Sequence, residues 1–157
     1  MGDQETVRFT EFEALTKAAA RGLVQWALDK EREQPRQAFV FGISLPPSTV
    51  LMGIATLTVR DFALREADIG FIIGREHWGR GYAAAAVRQS LRLGFETLHL
   101  HRIYAECDPA NLGSVRVMEK VGMRREGHLR ECRRQKGKWV DRLLYAVLDW
   151  EWAEAHQ

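Results

Sequence analysis

Between His77 and Val87 the chain reads HWGRGYAAAAV: Gly79 and Gly81 flank Arg80, and Ala83, Ala84 and two more alanines follow Tyr82. Glycine lacks the side chain that would hold a ligand off the main chain, and alanine is the strongest helix former, so the stretch reads as a loop turning into a helix. A helix start presents unpaired N–H groups and a partial positive charge, which suits an anion. Arg80 would add a cation, and methyl groups in the first turn would let phosphate oxygens approach, so a diphosphate fits. The same residues also suit a tight turn before an alanine-rich core helix. A second pattern is Asn111 with Ser114 three residues on, just after Asp108-Pro109. Helix capping by Asn111 accounts for that spacing without any ligand.

These residues need a strand before each turn and a helix after it. Residues 67–74, ADIGFIIG, read as a strand, and from Gly81 to Leu98 the apolar Val87, Leu91, Phe95 and Leu98 fall on one helical face. HRIYAECD is a further strand, and Asn111 to Val121 a short helix closed by Gly122. Upstream, apolar residues at helical spacing between Thr10 and Glu33 predict one or two helices before Pro35. AFVFGISL and TVLMGIATLTV, divided by Pro46-Pro47, predict two adjacent strands. KWVDRLLYAVLDW predicts a closing strand, with another before it at Arg124 to Cys132. The sum is an α+β domain.

At 157 residues and 46% hydrophobic content, the chain suits one domain, residues 1–157, with its own core. No apolar run approaches the roughly 18 residues of a membrane span. MGDQETVRFT lacks the apolar centre of a signal peptide, so a cytoplasmic protein is expected. Cys107 and Cys132 lie apart with no metal-ligand spacing, so neither a zinc site nor a disulfide framework is expected. A net charge of +2 does not by itself call for nucleic acid.

IGFIIGREHWGRGYAAAAV followed by HRIYAECDPANLGSVRVMEKVGM resembles the acetyl-CoA-binding half of the GNAT N-acetyltransferases, in the group similar to the RimJ/RimL ribosomal-protein acetyltransferases. The match runs from Leu51 to Trp150. The family fingerprint is Q/R-x-x-G-x-G/A, with Trp78, Gly81 and Ala83 at its three marked positions, and its amides hold the cofactor pyrophosphate. The resemblance implies the GNAT fold: a mixed, mostly antiparallel sheet with splayed central strands, flanked by helices. It assigns cofactor contacts to Phe71, Ile72 and Ile73, whose backbone would pair with the pantetheine arm as a strand would. It also assigns them to Trp78, Gly79, Arg80, Gly81, Tyr82, Ala83 and Ala84, to Asn111 on the pantetheine, and to Ser114 near the sulfur.

The reaction implied is direct transfer of acetyl from acetyl-CoA to a primary amine, a protein N-terminus or a small molecule, without a metal. The family's usual tyrosine acid is replaced here by Met118, a residue suited to packing with Val117 and Val121, so the acid's role falls to Ser114, to water or to no group, a CoA thiolate being a tolerable leaving group. Candidates for the base are Asp68, Glu106, Glu131 and Asp141; Asp141 suits a structural acceptor equally well. Relatives carry a glutamate where this chain has Arg133, so a water chain is an alternative to any of these carboxylates.

Seven Lys/Arg face two acids between Arg124 and Lys138. They interleave with Met123, Leu129, Trp139 and Val140 as on a solvated strand, although an acceptor with a negative group would also suit them. Trp139 and Trp150 are expected in the core, or one of them at the acceptor mouth. Only TVRFTEF is available for the family's first strand, and a missing strand would leave a sheet edge that a homodimer could cover. The rival reading is a non-catalytic acyl-CoA-binding or RNA-associated module on the same fold.

Overall fold

The computed structural model describes residues 3–10 and 16–155. Helix α1, Lys17–Glu31, starts where the Thr16 hydroxyl accepts the Ala19 N–H at 3.2 Å, and it ends short of Pro35. Strands β1, Ala38–Ile43, and β2, Gly53–Asp61, pair antiparallel across the loop that holds Pro46 and Pro47. β3, Glu66–Ile73, pairs antiparallel with β2 along its whole length. Helix α2, Tyr82–Arg92, passes into a π-type turn, Leu93–Thr97, where the expected helix was a single α-helix reaching Leu98. The wider turn lets Gly94 press on β4, Arg102–Cys107: a Cβ there would stand 2.4 Å from Ile103 Cδ1.

Helix α3, Leu112–Lys120, ends at Gly122, whose φ of +88° is the left-handed conformation a C-terminal glycine supplies. β5, Arg124–Gln135, and β6, Lys138–Leu148, form the last hairpin. The sheet order is β1-β2-β3-β4-β6-β5, antiparallel except for β3 beside β4. This is the α+β architecture expected.

The core lies between the sheet and α2, α3 and the π-type turn. Leu57, Ile69, Val87, Leu91, Ile103, Met118 and Tyr145 are all buried there. Met118 packs in the same cluster as Val121 and Val117, as its replacement of the family tyrosine suggests. A closing helix α4, Asp149–Ala155, follows β6 where the sequence pattern predicted strand up to Trp150. It forms because the Glu151 carboxylate accepts the Leu148 N–H at 2.9 Å and Asp149 pairs with His101 at 3.1 Å.

That helix overturns the expectation for two tryptophans. Trp139, near the tip of the last hairpin, is 63% exposed and Trp150 49% exposed, whereas Trp152 is buried with its ring 5.8 Å from that of Phe95. A helix turns successive side chains by about 100°, so Trp150 and Trp152 face different ways. Residues 6–10 of the stretch expected as a first strand form turns, and Glu11 and Phe12 lie outside the described residues. No described helix is long and apolar enough to cross a membrane.

Leu91 is fully buried between α2 and the sheet. Leu91→Ala is expected to lower stability by about 2–5 kcal/mol, the usual cost of the lost burial plus the residual cavity, read from urea denaturation followed by circular dichroism.

Candidate active site

The parallel strands β3 and β4 pair only from Glu66 to Asp68, against Arg102 to Tyr104. Beyond that level β3 stays with β2 up to Gly53 opposite Ile73, and β4 stays with β6 up to Cys107 opposite Leu143. Each strand is held by its outer neighbour, so a gap opens between them toward their carboxyl ends. Backbone groups in an antiparallel pair alternate sides. The Gly74 N–H donates to Met52 O beside β2, and Ile72 sits opposite Ile54. Phe71 and Ile73 therefore turn their main-chain groups into the gap, whereas Ile72 directs its own toward β2. The three residues expected to line the gap are thus divided.

At the end of β3 a single 3-10 turn, Arg75–His77, leads to the glycine pair. The Trp78 indole N–H donates to the Ile73 carbonyl at 2.7 Å, tying the loop to the strand. This gives the tryptophan a mechanical task that its place in the motif does not reveal. Gly79 and Gly81 have φ of +74° and +82°, a conformation that L side chains rarely adopt. A Cβ on either would meet no heavy atom within 4 Å, so the space above this backbone is open.

Gly81 caps α2 without any side-chain hydrogen bond, and the first bond of the helix runs from Ala85 N to Gly81 O at 3.0 Å. The N–H groups of Tyr82, Ala83 and Ala84 are consequently free of helical acceptors. Ala84 turns its methyl into the core, leaving its amide for the loop side, and Arg80 is exposed beside it. Left-handed glycines, an uncapped helix start, open space and one cation form a donor set that suits a diphosphate. The coenzyme A diphosphate fits here on chemistry and on room.

Across the gap, the chain leaving β4 turns tightly. Asp108 Oδ1 accepts the Ala110 N–H at 2.8 Å, and Asn111 Oδ1 caps α3 by accepting the Ser114 N–H at 3.1 Å. Ser114 is half-buried in the first turn of α3. Because β3 and β4 run parallel, α2 and α3 both begin at the carboxyl end of the gap, and their positive ends share one entrance.

The carboxylates expected as bases occupy unlike surroundings. Asp68 is paired with the Arg60 guanidinium. Glu106, on the splayed part of β4, receives on Oε2 both Arg133 Nε at 3.1 Å and Arg133 Nη2 at 2.9 Å. Arg133, the departure from the relatives' glutamate, thus comes to a carboxylate from another strand.

Asp141 has both oxygens engaged. Oδ1 accepts the Glu131 N–H at 2.9 Å and Oδ2 lies 2.7 Å from His128 Nε2. The Glu131 amide first, and then His128, hold its carboxyl below the usual carboxylate range. Glu131 itself has φ of +46° in an irregular part of β5, the sheet's outermost strand. Ser114, Glu131 and Asp141 stand on three different elements; the Glu131 N–H meets the Asp141 carboxylate, and no hydrogen bond ties Ser114 to either among the described residues.

One wall of the site carried no sequence signal. The Arg75 N–H donates to Thr6 Oγ1 at 3.1 Å, beside the glycine loop, and Gln135 Nε2 donates to the Thr10 carbonyl at 2.7 Å, on the last hairpin. Residues 6–10 therefore bridge the end of β3 and the β5–β6 hairpin, with Val7 fully buried beneath. Arg142 Nη2 in turn donates to Gln135 Oε1 at 2.8 Å. The only hint in the sequence is a cation at Arg142 among the apolar residues of a strand.

A profile of the GNAT acetyltransferase domain matches residues 1–124. N-acetyltransferase YnaD of Bacillus subtilis is 42% identical over 54% of this chain, and the chain spans half the length of that relative. N-acetyltransferase p20 of Bacillus licheniformis is 30% identical over 96% of this chain and 84% of its own length. A crystal structure of a GNAT-family acetyltransferase from Bacillus anthracis superposes with a TM-score of 0.82 at 30% identity, covering 94% of this chain and 84% of that one. The spermidine N-acetyltransferase of Vibrio cholerae, solved with CoA and spermine, shares the fold with a TM-score of 0.78 at 22% identity, over 97% of this chain and 87% of that one. The chain therefore belongs to the GNAT family of N-acetyltransferases, whose acyl donor is acetyl-CoA.

Proposed function

We propose that this chain transfers acetyl from acetyl-CoA to a primary amine, either the α-amine of a protein N-terminus or the amine of a small molecule, as a cytoplasmic enzyme of the RimJ/RimL-like group. The observation that carries this reading is the open, amide-lined turn at Gly79–Ala84 standing at the mouth of the gap between β3 and β4. When bound, acetyl-CoA supplies an activated acyl group with a thiolate as leaving group. The chain's own amides from Gly79 to Ala84 hold the diphosphate, with Arg80 beside it. Phe71 pairs its main chain with the pantetheine arm across the gap, and Asn111 meets that arm from the opposite side.

Ser114, at the positive end of α3, stabilises the departing sulfur and offers it a hydroxyl proton. Among the four carboxylates, Glu106 suits the base best. It lies on the splayed stretch of β4, and its Oε1 is free of the Arg133 fork. Asp141 instead braces the last hairpin through the Glu131 amide, because a carboxylate with both oxygens engaged and its proton affinity lowered is a poor base. An α-amine, with a pKa of about 7.7–8.0, demands less of that base than a lysine amine at about 10.4.

Two cations of the basic stretch are already engaged within the protein. Arg133 is committed to Glu106, and Arg124 lies 2.9 Å from Glu151. The outer edge of β1 is bare of a strand partner among the described residues, which favours a homodimer joined there.

Three measurements test this. Coenzyme A should raise the melting temperature of the native protein, and Gly81→Glu should abolish that rise, because it fills the open space with like charge; an undiminished shift would remove the diphosphate site. Glu106→Gln should lower kcat by about 10²- to 10⁴-fold while the coenzyme A shift persists; unchanged turnover in a thiol-release assay over peptides and small amines would exclude Glu106 as the base. Light scattering at micromolar concentration should give twice the protomer mass of 18.0 kDa, and a monomer would exclude pairing through β1.

A further inference from the structure

Among the described residues, Arg142 is a buried cation with no carboxylate beside it. Its side chain is 6% exposed, and no carboxylate lies within 4 Å of it among the described residues. Its hydrogen-bond partner is a neutral amide, Gln135 Oε1 at 2.8 Å. The other strand arginines on the same side of the sheet are all matched: Arg60 with Asp68, Arg102 with Glu66 and Glu126, and Arg133 with Glu106. A guanidinium carries five N–H donors and keeps its charge at any ordinary pH, so burying one without a counterion is costly unless an anion arrives.

The position of Arg142 says where that anion would come from. Side chains alternate along β6, so Arg142 shares a face with Leu144, whose partner on β4 is Glu106. Asp141 and His128 fall on the other face, with Leu143, and do not neutralise it. Arg142 is one residue past the last β4–β6 pair, level with the point where β4 runs out toward α3. Gln135 anchors Thr10, so Arg142 also stands under the segment that closes the cleft at the hairpin end.

We propose that Arg142 selects the acceptor: it pairs with a carboxylate that the acceptor carries close to the amine being acetylated. The proposal rests on the amine-acetylation reading above. Glu106 and Arg142 are diagonal neighbours on adjacent strands, about 7–8 Å apart by ordinary strand geometry. A carboxylate on one side and a guanidinium on the other match an acceptor with a cationic amine and an anionic group a few bonds apart. A planar guanidinium can bind a carboxylate through two parallel hydrogen bonds, which lysine cannot reproduce. A polyamine, cationic throughout, has nothing to offer Arg142.

The chemistry has two sources, the α-carboxylate of a free amino acid or the side-chain carboxylate of an acidic residue at a peptide N-terminus. The test compares free amino acids with their amides, and Asp- or Glu-initiated peptides with Asn- or Gln-initiated ones, with spermidine as the cationic control. The carboxylate member of at least one pair is expected to show a kcat/KM at least tenfold above its amide, mostly through KM. Arg142→Gln should bring that ratio close to one, and Arg142→Lys should restore part of it. The pair that responds identifies the source.

Equal rates on both members of every pair, or an Arg142→Gln loss shared equally by acid and amide, would overturn the proposal. A binding arm separates it from the acetylation reading: melting temperature with coenzyme A plus the N-acetylated carboxylate product, in the native protein and in Arg142→Gln. A product-dependent rise that vanishes in the variant supports the anion site even if no amine turns over, in which case the acetylation reading alone fails. No rise together with no acid preference ends the proposal. Retention of the coenzyme A shift in Arg142→Gln shows that the variant is folded.

Discussion

Two neighbouring parallel strands that stop pairing halfway create the demand that the rest of this molecule answers. β3 and β4 part beyond Asp68 and Tyr104 because each is held along its outer side, by β2 and by β6. Main-chain groups left unpaired inside a fold are costly, so the inner edge of β3 calls for a partner. The protein supplies some of it: the Trp78 indole takes the Ile73 carbonyl and holds the glycine loop in place. Phe71 turns its main-chain groups into the gap, where the proposed pantetheine arm would meet them. Since the strands run parallel, two helices begin at the same end of the gap, and both positive ends meet whatever enters.

The charges near this gap are organised by pairing. Arg60 with Asp68, Arg102 between Glu66 and Glu126, and Arg133 with Glu106 form a ladder of ion pairs across β2, β3, β4 and β5. Several are half-exposed, so they contribute more to side-chain orientation than to stability. In that company Arg142 stands apart, more deeply buried than its neighbours and, among the described residues, held by the Gln135 amide rather than by a carboxylate. Cys107, also buried at the end of β4, is kept as a thiol: burial pushes its pKa up to about 11, so it takes no part as a nucleophile at neutral pH.

The last hairpin shows how one carboxylate can be structural. The Asp141 oxygens collect a backbone N–H from Glu131 and a ring nitrogen from His128, clamping the stretch where the β5 register slips between Leu129 and Arg133. That clamp fixes the hairpin that carries Gln135, and Gln135 in turn holds Thr10 and Arg142. The proposed acceptor side is thus built through a chain of contacts between parts far apart in sequence.

Local order was legible in the residues themselves. The alternation in β2, the four- and three-residue spacing of α2, the cap at Asn111 and the left-handed Gly79, Gly81 and Gly122 all express short-range steric and hydrogen-bonding rules. The turn proposed to hold the diphosphate followed from them, being one continuous piece of chain. The sequence alone could not decide which carboxylate meets which arginine, that Trp150 faces solvent while Trp152 is buried, or that residues 6–10 bridge the glycine loop and the hairpin. Those depend on strand order and register, which bring β4, β6 and the amino-terminal segment together across up to 125 positions, and no local propensity encodes that distance.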